Sequence, residues 1–68
     1  MKSMSGKELA KVLERHGWKL LRVHGSLHIY GKAESVVRLS VPIHGNKLLK
    51  LGLQNHLLKT AGISEDFS

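Results

Sequence analysis

The spacing of the apolar residues changes at Gly17, and a chain that switches period there is confined to mixed helix and sheet. Before that glycine, Leu9, Val12, Leu13 and His16 recur at helical spacing. Ser5-Gly6-Lys7-Glu8 ahead of them has the form of a capping box: the serine hydroxyl accepts from the Glu8 amide, and the Glu8 side chain accepts from the Ser5 amide. Met4 and Leu9 are placed for the hydrophobic staple, and Gly17 can take the left-handed conformation that stops a helix. The predicted first helix runs from about Gly6 to His16.

After Gly17 the residues alternate, with Trp18, Leu20 and Arg22 on one side and Lys19, Leu21 and Val23 on the other. His24-Gly25-Ser26 supplies a turn. Leu27-His28-Ile29-Tyr30 resumes the alternation, with Leu27 and Ile29 as the expected buried side and His28 and Tyr30 sharing the other. A polar loop from Gly31 to Ser35 leads to a third strand, Val36 to Val41, which Pro42 limits. Past the loop Pro42-Ile43-His44-Gly45-Asn46-Lys47, Leu53, Leu57, Leu58 and Ala61 form the apolar stripe of a second helix stopped by Gly62, and Gly52 blurs where it starts. The order α-β-β-β-α predicts an α+β fold, a two-layer sandwich of two helices on a three-stranded antiparallel sheet. An acidic tail, Glu65-Asp66-Phe67-Ser68, closes the chain.

At 68 residues the expectation is a single domain, residues 1–68 with a core over about 4–63, that buries only about 60% of the surface its unfolded chain exposes. No cysteine is present to staple it, so core packing must hold the fold. No apolar run approaches the ~20 residues of a membrane span, and Met1-Lys2-Ser3-Met4 is too short for a signal peptide, so a soluble cytoplasmic protein is expected. Eleven Lys and Arg against five Asp and Glu give a net charge of +6. From Arg15 to Lys59 the chain carries eight bases and the single acid Glu34. Such a field suits a polyanion, chiefly nucleic acid, or an acidic protein.

Among the side chains that can do chemistry, His28 stands out. Imidazole accepts or donates a proton near neutrality, as the attack of a ribose 2′-hydroxyl on its neighbouring phosphate requires. The candidate phosphate ligands are Arg22, Arg38, Lys47 and Lys50, the last two just before the amino end of the second helix, where anions are favoured. Ser26 can donate to a phosphate oxygen, and Tyr30 can stack on a base. The plainer reading makes His28 a half-exposed strand residue and Gly25-Ser26 a turn and nothing more. Trp18 opens a strand directly after a helix stop and is expected in the core. His44 is a loop histidine that assists His28, binds RNA or is simply exposed, and His16 and His56 are surface or boundary residues of helices. Five histidines raise the question of a metal, but His24 and His28 lie across a turn and no cysteine or nearby carboxylate completes a set, so no metal or other cofactor is expected. A Ser-His-acid hydrolase lacks an acid placed to orient the imidazole.

Several short motifs stand in a telling order: Ser5-Gly6-Lys7-Glu8-Leu9, Gly17-Trp18, Gly25-Ser26-x-His28, Val41-Pro42-x-His44 and Leu58-Lys59-x-Ala61-Gly62-Ile63. The chain resembles the HicA-type toxins over residues 4–63. Those are small bacterial mRNA interferases with a fold like double-stranded RNA-binding domains, paired with HicB-type antitoxins. The resemblance implies an endoribonuclease whose catalytic histidine is His28, acting on mRNA and silenced by a HicB-type antitoxin. Two positions depart from the family pattern. Leu27 stands where many members carry a second histidine, and Leu51 stands where a proline often precedes the glycine of the second helix. A non-catalytic RNA-binding module on the same fold is the alternative, and an adaptor for an acidic protein is a third.

Overall fold

The computed structural model describes residues 3–63; the acidic tail lies outside the described residues. The elements follow the order α1 (Gly6–Arg15), β1 (Lys19–His24), β2 (Leu27–Gly31), β3 (Arg38–Pro42) and α2 (Leu51–Thr60). The strands form one antiparallel sheet in the order β1-β2-β3, and both helices pack on β3. This is the two-layer α+β arrangement that the change of period predicts.

The amino end of α1 is built as its residues dictate. Ser5 Oγ accepts from the Glu8 amide at 3.2 Å and Glu8 Oε1 accepts from the Ser5 amide at 2.9 Å, completing the capping box. Met4 and Leu9, the staple pair, are both buried. Gly6 is required by its neighbours, since a Cβ there would overlap the Pro42 carbonyl oxygen and the Ile43 side chain. This close approach seats the start of α1 on the end of β3. His16 caps the other end of α1, and Gly17 follows with φ +90°.

Three expectations about the elements need correction. β1 carries a bulge: Leu20 pairs with Tyr30 but Arg22 pairs with Ile29, so one extra residue sits between them. Strict alternation therefore fails, and Leu20 and Val23 share a face. The third strand begins at Arg38 rather than Val36, and Pro42 is its last residue. Ser35 Oγ accepts from the Val37 amide at 3.1 Å, and Arg38 Nη1 donates to the carbonyls of Ser35 and Val37. Those local bonds hold the backbone in a loop, and Val36 stays exposed. In α2 the buried stripe is Gln54, Leu57 and Leu58, with Ala61 packed against the core, while Leu53 lies at the surface. Gln54 has the better spacing to Leu57, Leu58 and Ala61, three, four and seven residues on.

Gln54 is fully buried because it performs a backbone task. Its Oε1 accepts from the Met4 amide at 2.7 Å, which ties α2 to the segment that opens α1. Leu49 donates its amide to the Met4 carbonyl at 2.8 Å, so Met4 is fastened on both polar groups. The remaining core is Leu9, Leu13, Trp18, Tyr30, Leu39, Val41, Leu58 and their neighbours. Trp18 is a core residue as expected, with the Lys32 ammonium 5.7 Å from its ring centre.

Two substitutions test these joints. Gly6→Ala gains up to about 1 kcal/mol of helix propensity, yet is expected to destabilise by about 1–3 kcal/mol through overpacking against Pro42, seen as a lower urea midpoint with unchanged slope. Gln54→Leu leaves the Met4 amide buried without that acceptor and is expected to cost about 1–3 kcal/mol. At about 4–8 °C per kcal/mol for a domain this size, calorimetry resolves the loss.

Candidate functional site

The face of the sheet that holds His28 is decided by a two-residue turn. Gly25 has φ +59°, Ser26 does not have positive φ, and His24 pairs with Leu27, which fits a type II′ hairpin with glycine first. From that turn the register runs Val23–His28–Val41 and, beyond the bulge, Leu20–Tyr30–Leu39 across the three strands. Leu39 and Val41 are core residues, so His28 and Tyr30 stand on the face that the helices cover. Leu27 and Ile29 lie on the open face, with Arg22 and Ser40 beside Ile29. The expected burial of β2 is thus inverted.

This inversion corrects the role of Tyr30. Its ring is 3% exposed and fills the core between Leu20 and Leu39, and it offers no surface on which a base can stack. Its hydroxyl donates to Glu14 Oε2 on α1 at 3.4 Å. Burial first, and then the neighbouring Glu14 carboxylate, raise the phenol above its ordinary value of 10.0. A raised folded value means that the contribution is complete below pH ~10 and disappears as pH rises through the folded value. Tyr30→Phe is expected to cost about 0.5–1.5 kcal/mol at neutral pH, and the gap between the two proteins should close in alkaline unfolding series above pH ~10.

His28 itself is half-buried. Its Nδ1 lies 3.4 Å from the Ser26 carbonyl oxygen. A carbonyl only accepts, so in a neutral ring the tautomer that makes this contact carries its hydrogen on Nδ1 and its lone pair on Nε2. The same carbonyl accepts from the Ile43 amide at 2.8 Å, which ties the loop after β3 to the turn before β2. His44 follows directly and is exposed; Lys47 closes the turn by donating its amide to the His44 carbonyl at 3.0 Å. The loop then crosses to the start of α1, where Leu48 bridges Ser5, and ends at Lys50, the N-cap of α2. Lys50 makes no side-chain capping bond, and no acid stands in the first turn of α2, so that positive helix end is uncompensated.

One end of the sheet therefore gathers His28, Ser26, His44 and the Lys47 loop, with the beginnings of both helices beside it. Arg22 and Arg38 are not part of this group. Arg22 pairs with Ile29 and Arg38 with Gly31, on the opposite face from His28, and Arg38 is further occupied by the carbonyls of Ser35 and Val37. His16 is held by its own helix, Nδ1 to the Val12 carbonyl at 2.9 Å. Among the described residues no three of His, Cys, Asp and Glu gather in a metal-binding group. Sequence reasoning missed the Ser26 carbonyl and Glu14; a two-residue turn ahead of an alternating strand was the available signal for the first.

The family model described as the HicA toxin of bacterial toxin-antitoxin matches residues 6–63, which is nearly the whole chain. The chain belongs to the HicA toxin family. No curated protein matches it. Membership makes it the toxin side of a toxin–antitoxin pair, and so implies an antitoxin partner. No helix among the described residues is long and apolar enough to cross a membrane.

Proposed function

We propose that this HicA toxin is an mRNA endoribonuclease in which His28 transfers the proton and a HicB-type antitoxin silences it in the cytoplasm. The observation that carries the proposal is the placement of one side chain. His28 is half-buried on the helix-covered face with its Nδ1 facing the Ser26 carbonyl, and a neutral ring that donates there has its lone pair on Nε2. A base of that kind takes the proton of a ribose 2′-hydroxyl. The 2′-oxygen then bonds to the adjacent phosphorus, the bond from phosphorus to the 5′-oxygen breaks, and the departing 5′-oxygen takes up a proton from water, while the imidazolium returns its own to solvent. The products are a 2′,3′-cyclic phosphate and a 5′-hydroxyl.

Charge supplies the rest. Lys47 and Lys50 lie along the loop that starts at the Ser26 tie, next to the uncompensated end of α2, and they hold phosphates there. Ser26 adds a hydroxyl at the turn. Arg22 and Arg38 reach only RNA that passes round to the other face of the sheet. One positioned base contributes about 10² to 10⁴ in rate, which makes this a slow ribonuclease unless charge stabilisation adds to it.

Single-stranded RNA incubated with the purified toxin is expected to be cut, with cyclic phosphate ends, and His28→Ala should lower the rate by about 10² or more while circular dichroism is unchanged. Equal cutting by the two proteins removes His28 from the mechanism. RNA that is bound in a salt-dependent way but stays intact would assign the fold to a non-catalytic RNA-binding module instead.

A further inference from the structure

Two rows of the sheet, followed from β3 to β1, lose their cover in the same direction. In the first row Leu39 is 2% exposed, Tyr30 3% and Leu20 45%; in the second Val41 is 0% exposed, His28 is half-buried and Val23 is 49% exposed. The reason is the placement of the helices, both of which pack on β3. The helix layer stops short of β1, and all six residues of that strand are exposed. Leu20 and Val23 are apolar, side by side on the face that the helices cover elsewhere, and the chain's described residues leave about half of each exposed.

We propose that Leu20 and Val23 anchor the antitoxin, through an amphipathic acidic segment that occupies the vacant place in the helix layer over β1. Three observations select this occupant. The chain belongs to a toxin–antitoxin family, so a protein partner exists. β1 carries Lys19 and Arg22 and no acid, within a stretch from Arg15 to Lys59 that holds eight bases and one acid, which favours an acidic partner and disfavours a second copy of the same basic strand. The bulge between Leu20 and Arg22 blunts the open edge of β1 against strand addition, so docking falls to the side chains of the face. Half-exposed leucine and valine give nothing to a phosphate backbone, and RNA is not their partner.

The position has a functional consequence. Val23 is paired directly with His28, and side chains opposite each other in an antiparallel pair stand about 4.5–5.5 Å apart at Cβ. A segment seated on Val23 covers the imidazole as well. The affinity for the antitoxin would thus reside in apolar contacts beside the proposed catalytic group and not in contacts with it. This consequence rests on the role proposed for His28; the docking site does not.

The test is titration of purified antitoxin into the toxin, with three variants compared at low and high salt. Leu20→Thr/Val23→Thr keeps strand-forming shape and neutral charge at exposed positions, and is expected to weaken binding at least tenfold while thermal unfolding and RNA cutting are unchanged. Leu27→Thr, an equally exposed apolar residue on the opposite face, and His28→Ala should each bind within about twofold of the unaltered toxin. Unchanged affinity in the double variant overturns the proposal, as does equal weakening by Leu27→Thr. Loss of RNA binding with antitoxin affinity intact would assign β1 to the RNA. Failure of the toxin to cut RNA at all would remove the role of His28 and leave the docking result standing.

Discussion

The register of the β1–β2 hairpin governs on which face of the sheet His28 and Tyr30 stand. Gly25 takes a positive φ that costs a glycine little, and the turn closes with only Ser26 beside it. Pairing then proceeds outward from His24 and Leu27. Because side chains alternate along a strand, a shift of one residue would send His28 and Tyr30 to the open face and Leu27 and Ile29 beneath the helices. The turn thus places a polar side chain in the middle strand on the covered face. Tyr30 satisfies its hydroxyl on Glu14, and His28 turns toward the Ser26 carbonyl.

That carbonyl also explains why the loop after β3 belongs to the same site. It accepts from the Ile43 amide, and Gly6 brings the first turn of α1 against Pro42 at the same corner. Gln54 completes the assembly by holding the Met4 amide, so the starts of both helices and two loops converge on one end of the sheet. A chain this small has few apolar residues to spend on positioning. It uses backbone hydrogen bonds instead, each worth about 0.5–1.5 kcal/mol net when made and more when left buried and unmade.

The helix layer is narrower than the sheet, and this asymmetry divides the molecule into a closed half over β3 and an open half over β1. His28 lies on the boundary. A group at such a boundary is oriented by packing on one side and accessible from the other, which is what a proton-transfer residue needs. The same boundary leaves apolar side chains of β1 in water, a cost that a toxin held in a complex does not meet. On the proposed roles, activity and its suppression are neighbouring properties of one uncovered strip of sheet.

The elements, their order and the fold class were legible in the sequence, because capping boxes, glycine stops and the two hydrophobic periods are local signals read within a few residues. The capping box of Ser5 and Glu8, the burial of Trp18 and the family resemblance along the chain are of that kind. Local signals do not say which face of a strand is covered when both faces carry apolar residues, as in Leu27-His28-Ile29-Tyr30. Tertiary structure decided that through the Gly25-Ser26 register, the bulge in β1 and the unambiguous inward pair Leu39 and Val41 on β3. It decided likewise that Gln54, and not Leu53, enters the core, because a polar side chain is buried wherever it answers a backbone group from a distant segment. Residues fifty apart in sequence settle such choices by contact, and only the folded chain brings them together.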